Sequence, residues 1–254
     1  MATAEESVII PVRLDHSPAS HVGVHEDDAD ALYLDTSAVE PLTPTEVVLL
    51  GYWPVPDQSS PQQLRDQFED EALERLEAVR KPLEDRGFDV TSELSFTKDR
   101  DHLIDRAANK HGCKSVLSPG VSRSGPPDSV LVLLKSDSDL DRIVSTLGTL
   151  LRHSSIDILL FHALESGDDV EVAEYMLNGV ANRLEAQGIP PDRIRWEQSE
   201  RGSRVETIVS EASNHDLIVL SESEPTVRER IFGPVQSAVS DRTDRPSLTI
   251  RAGT

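Results

Sequence analysis

The feature that most constrains this chain is a regular alternation in its second half. Short apolar runs rich in β-branched residues take turns with segments whose apolar residues recur every three to four positions. Val130–Leu134, Ile156–Leu164, Arg193–Glu197, Leu217–Leu220 and Ser247–Ile250 read as strands. Between them lie four helical patterns. Ser138 and Asp141 open the first, whose Leu140, Ile143, Val144, Leu147 and Leu151 share one face. The second runs from Asp168 to Gln187, turns Val172, Ala173, Met176, Val180 and Leu184 inward and stops at Gly188. Ser203 with Glu206, and Thr226 with Glu229, have capping-box spacing for the last two. Strand and helix alternating through short connections call for a parallel sheet covered on both faces.

The first half repeats this order less completely. Ser7–Leu14 and Glu46–Trp53 read as buried strands. Residues 15–45 are acidic, have no helical period and read as a long surface loop, with a short strand at 31–34. Ser60, Pro61 and Gln63 open a helix on which Leu64, Phe68, Ala72, Leu76, Val79 and Leu83 form the apolar stripe. Pro82 is expected to kink its last turn, and Gly87 to end it. A strand at Phe88–Phe96, a short helix at Asp101–Lys110 and a strand at Lys114–Leu117 follow. The halves also echo each other. LIDRAANKHGCKSVLS (103–118) parallels VETIVSEASNHDLIVLS (205–221), and EVVLLGYW parallels IDILLFHA. The spacing is about 100 to 110 residues, which points to a tandem duplication. The expected fold class is α/β: two Rossmann-like parallel-sheet halves with helices on both faces. Residues 1–120 make an incomplete domain, 121–128 a linker and 129–254 a complete domain.

Composition narrows the function. The net charge is −21, and only five of the 25 basic residues are Lys. An acidic, Lys-poor chain suits molar salt, where the Debye length falls to about 3 Å and self-repulsion is screened. The same charge argues against nucleic acid and anionic membranes as partners, since phosphate backbones need clustered bases. The single cysteine, Cys113, leaves no disulfide framework and no zinc spacing. With no signal peptide and no long apolar run, a cytoplasmic protein without membrane insertion is expected.

The second half resembles the universal stress protein family. The residues that carry this are the strands VLVLL and ILLFHAL, the phrase DLIVLSESEPTVRERIFGPVQSAV and the closing PSLTIR. The resemblance implies a phosphate-binding turn after the Leu217–Leu220 strand, built in the family on Gly-x2-Gly, about nine residues, then Gly-Ser/Thr. Here Ser221 and Glu224 replace the first two glycines, Gly233 comes one residue early, and Pro234 replaces the hydroxyl. Where the family's first strand ends in Asp, this chain has Lys135. Glycines there let backbone N–H groups reach phosphate; Glu222 and Glu224 would repel it by on the order of 1 kcal/mol per pair. The resemblance therefore implies a non-catalytic regulatory or binding protein that acts through protein contacts, without ATP or another cofactor. Because the fold also serves as a cytoplasmic regulatory part of transporters, a membrane transporter is one candidate partner. A pseudo-dimer of the two halves and a homodimer are further expectations. The alternative is an adenine-nucleotide sensor holding ATP or AMP in an altered site of Lys135, Phe161, Ser221, Glu224 and Gly233.

Other reactive residue types have simpler readings. His21 and His25 lie in a segment without the helical pattern that would bring i and i+4 ligands together, so no metal site is expected. Ser213, His215 and Asp216 are adjacent in one turn, which is not how a triad is assembled, and no catalytic residue is assigned. Arg228 and Arg230 are expected to pair with neighbouring carboxylates. His162 reads as a satisfied core histidine, and Cys113, Trp53 and Trp196 as packing residues.

Overall fold

The computed structural model describes residues 6–15, 39, 41–43, 46–120, 126–135, 140–200, 202–222, 242–243 and 245–251. The chain forms two compact units, Met1–Thr36 with Pro44–Ser124, and Ser37–Thr43 with Gly125–Thr254. His21, His25, Ser138, Glu224, Arg228, Arg230, Gly233 and the strand expected at 31–34 lie outside the described residues.

In the first unit, β1 (Ser7–Arg13), β2 (Glu46–Pro54), β3 (Val90–Thr97) and β4 (Ser115–Ser118) run parallel in the order β3-β2-β1-β4. β1 and β2 are buried along nearly their whole length, which is why they are written almost without polar residues. Between β2 and β3 lies α1 (Pro61–Asp85). Its capping box is complete: the Ser60 hydroxyl accepts from the Gln63 N–H, and the Gln63 amide oxygen accepts from the Ser60 N–H. Ala72, Leu76, Val79 and Leu83 are buried. Pro82 does not end the helix, which runs on to Asp85 and stops at Gly87, whose φ of 92° is open to glycine. α2 (Arg100–His111) precedes β4, capped by Asp99 and ended by Gly112 in the left-handed region.

In the second unit, β5 (Ser129–Leu133), β6 (Asp157–His162), β7 (Ile194–Gln198), β8 (Leu217–Ser221) and β9 (Ser247–Ile250) are parallel in the order β9-β8-β5-β6-β7. The helices are α3 (Leu140–Leu151), α4 (Val170–Ala186) and α5 (Arg204–Ala212). The crossovers through α3 and α4 step outward from β5 in one direction, so both helices lie on one face. The crossover through α5 returns to β8 and puts α5 on the other. There Ile208 and Ala212 pack on Leu131, Leu133, Leu159, Phe161, Ile218 and Leu220. Alternate residues of the same strands face α3 and α4. One stretch of the segment 15–45 is built into this unit: Val39 and Leu42 are buried, and the Thr43 N–H donates to the Leu150 carbonyl at 3.0 Å.

One expected cap is replaced. Ser203 makes no side-chain capping bond, and Glu206 pairs with Arg242 through two hydrogen bonds of 3.0 and 2.8 Å.

Candidate functional site

In an open parallel sheet, ligands sit beyond the strand ends where the strand order reverses direction. In the second unit that point lies at the C-terminal tips of β5 and β8. The β8 tip carries Ser221 and Glu222. The Glu222 N–H, the first backbone donor beyond β8 and the kind of group a phosphate-binding turn presents, donates to the Ile250 carbonyl at 2.8 Å. It is committed to β9, and its half-buried carboxylate brings negative charge to the switch point. Lys135 is half-buried just past the tip of β5. Phe161 is not a platform at the opening. It is 4% exposed and belongs to the core beneath α5, on the inward-facing rows of the strands. Lys135, Phe161 and Ser221 thus sit near the ends of three adjacent strands, with the phenyl ring turned into the core.

The first unit builds the corresponding place differently. The ladders pair Val8 with Val47 and Ser115, and Val130 with Ile158 and Leu217. Matching them sets Arg13 with Lys135, Leu50 with Phe161, Gly51 with His162 and Pro119 with Ser221. Arg13 is held by Asp15 through two hydrogen bonds of 2.7 and 2.8 Å. Trp53 stacks on Phe68 at 4.8 Å and on Phe96 at 6.1 Å, with the Arg75 guanidinium over its face. Arg100 lies over Tyr52 at 5.8 Å, and burial pushes the Tyr52 phenol up from its ordinary value against the pull of that guanidinium. Pro119 has no N–H to offer. These tips are filled by aromatic rings and arginines whose charge is already answered.

At the opposite end of the second sheet, Ser213, His215 and Asp216 are structural. The Asp216 carboxylate accepts from the Asp128 N–H, the Ser129 N–H and the Ser129 hydroxyl at 3.0 to 3.1 Å, tying β8 to β5. The Ser213 hydroxyl donates to the Val209 carbonyl, and the His215 ring lies against the Glu211 carbonyl. Among the described residues no group of His, Cys, Asp or Glu could hold a metal ion. None of their helices is long and apolar enough to cross a membrane. Cys113 is buried at the entry to β4.

His162 has more polar surroundings than a core histidine needs. Its Nδ1 lies 2.9 Å from the Leu134 carbonyl. Its Nε2 lies 3.4 Å from Asp168, which also accepts from the Glu165 N–H at 2.7 Å. That N–H, with the nearby imidazole, holds the Asp168 carboxyl below its ordinary value.

In each unit, parallel strands with a reversal in their order and helices returning over both faces define a Rossmann-like α/β protein. More narrowly, the chain has the fold of the universal stress proteins. Its structure matches a universal stress protein from Archaeoglobus fulgidus over 97% of this chain and 96% of that one, with a TM-score of 0.66 and 15% identity. A putative universal stress protein from Pseudomonas aeruginosa matches over 98% and 94%, with a TM-score of 0.51 and 12% identity. A universal stress protein in complex with cAMP covers 50% of this chain at 21% identity, and its TM-score of 0.41 is too low to bear on the site. No protein-family model and no curated protein matches the sequence.

Proposed function

We propose that this is a non-catalytic regulatory protein of universal stress type that acts through protein contacts and does not hold ATP. The observation that carries the reading is the β8 tip. There the Glu222 N–H is spent on β9 and the Glu222 side chain adds a negative charge where a phosphate would lie. Pro119 at the matching place of the first unit, and the ring-filled tips around it, support the same reading for that unit. No residue of the described tips offers a nucleophile with an adjacent base. The partner is a protein rather than a nucleic acid, in keeping with a net charge of −21, and a transporter's cytoplasmic face is one candidate.

The competing reading keeps an adenine nucleotide, with Lys135 as the cation that answers its phosphates. Thermal unfolding in multimolar KCl with ATP, ADP, AMP and cAMP separates the two. A ligand at 100 times its dissociation constant adds about 2.7 kcal/mol, which moves the melting temperature of a protein this size by several degrees. The protein-contact reading expects no shift with any of the four. A shift that Lys135→Glu removes would establish the nucleotide reading instead.

A further inference from the structure

β7 closes the second unit's sheet on one side, and its outer edge carries a pattern that the fold itself does not use. Among the described residues β6 is its one strand neighbour. The Ser199 N–H donates to the His162 carbonyl at 3.0 Å. Successive residues of a strand turn their N–H and carbonyl groups to opposite sides, so Arg195 and Glu197 share the inward direction of Ser199. Trp196 and Gln198 turn both groups outward. Ile194 turns its carbonyl outward, while its N–H is taken by the Pro191 carbonyl. An edge of this kind is a template for another strand, and natural sheets blunt it with Pro or Lys. β7, IRWEQ, has neither.

The side chains say which strand would fit. Ile194, Trp196 and Gln198 are half-buried, and Arg195 and Glu197 stand exposed on the other face. Neither charge has an ion-pair or hydrogen-bond partner among the described residues. On β3, at the edge of the first unit's sheet, Glu93 is instead taken by Lys110 and His111. Charged side chains blunt an edge only against a strand whose charges do not answer them, and IRWEQ answers itself. Laid antiparallel about Trp196, Ile194 faces the partner's Gln198, Arg195 the partner's Glu197, and Glu197 the partner's Arg195. The outward backbone groups then meet as hydrogen-bonded pairs. Arg195 and Glu197 fall at the non-hydrogen-bonded positions, where facing side chains come closest. Sliding the partner by two residues, the smallest step that keeps the hydrogen bonding, sets Arg195 against Arg195 or Glu197 against Glu197. The charges therefore select one register.

We propose that β7 is a homodimerisation edge: two copies of this chain join antiparallel through β7, held by main-chain hydrogen bonds at Trp196 and Gln198 and by reciprocal Arg195–Glu197 ion pairs. Such an interface is isologous, as two-fold symmetry requires. It does not depend on how the strand tips are read.

Analytical ultracentrifugation of the full chain tests this, in the lowest salt that keeps it folded so that the ion pairs are least screened. Amide hydrogen exchange at low and high protein concentration accompanies it. A dimer is expected, with exchange at the Trp196 and Gln198 amides slowing as it forms. Arg195→Glu and Glu197→Arg each set like charges against one another and should weaken self-association about tenfold. Mixed in equal amounts, the two variants face their complements and should recover the association. The double variant carrying both substitutions should dimerise like the unmodified chain. A merely structural role of either side chain would not be restored by mixing. A chain that stays monomeric, a dimer that both single variants leave intact, or single variants that mixing does not rescue would each overturn the proposal.

Discussion

The two units carry the same strand order around their switch points and furnish them with different residues. In the first, arginines and aromatic rings fill the tips: Arg13 is spent on Asp15, and Trp53 stacks on Phe68 and on Phe96. In the second, the described part of the β8 tip carries Glu222, whose N–H is spent on the Ile250 carbonyl and whose carboxylate is half-buried. The sheets differ at their other ends too. In the first, Lys114 reaches the buried Glu6 at 2.8 Å to join β4 to β1. In the second, Asp216 accepts three hydrogen bonds from Asp128 and Ser129 for the same purpose. The lesson is that a parallel sheet fixes where a tie or a site must fall but not the chemistry that fills it.

Substitution at matched positions probes that comparison. The largest effect is expected from Phe161→Ala, which empties a core position and should cost about 3–5 kcal/mol; Leu50→Ala, at the same ladder position of the first sheet, should cost about 2–5 kcal/mol. Denaturant unfolding measures both. If Phe161→Ala were nearly neutral, the ring would belong to an open site and not to the core. Next comes Lys114→Met, which strips the buried Glu6 carboxylate of its ammonium partner and should cost on the order of 3 kcal/mol. Asp216→Ala leaves two backbone N–H groups and a hydroxyl without their acceptor and should cost about 1–3 kcal/mol. A smaller contrast separates two helix starts. Ser60→Ala, which breaks a complete capping box, should lower stability by about 1 kcal/mol. Ser203→Ala, at a cap with no side-chain bond, should change the urea midpoint hardly at all.

The smallest effect is a pH dependence. The Asp168 carboxyl is held below its ordinary value mainly by the Glu165 N–H, with a contribution from His162. Its stabilising effect is therefore present above the unfolded carboxyl's value and is lost as pH falls through the folded one. Asp168→Asn should flatten the acid limb of the stability profile and leave the alkaline limb unchanged.

Much of the fold was legible because the buried strands are written in long apolar runs and the helices in a 3.6-residue period. The place of Ser221 at a strand-to-helix turn followed from the alternation of elements, and Lys135 was singled out through the family resemblance. Four things did not follow. Val172 fits the helical period, yet its side chain is 59% exposed in the folded unit. Glu206 has capping-box spacing, and only tertiary structure brings Arg242 close enough to take it. The matching of SVLS with IVLS by their final serines slips by one residue, since the ladders pair Val8 with Ser115 and Val130 with Leu217 and so set Pro119, not Ser118, with Ser221. The hydrogen bond from Glu222 to Ile250 joins residues far apart in the chain and leaves no local signal.

The central claim is that the β8 tip of the second unit excludes a triphosphate. Isothermal titration of ATP with Mg²⁺ into the full-length protein, at a salt concentration where it is folded, tests this most directly. The account predicts no saturable heat, from the unmodified chain or from Lys135→Glu. Saturable binding with one ATP per chain, weakened by Lys135→Glu, would contradict it and make the second unit a nucleotide site despite Glu222.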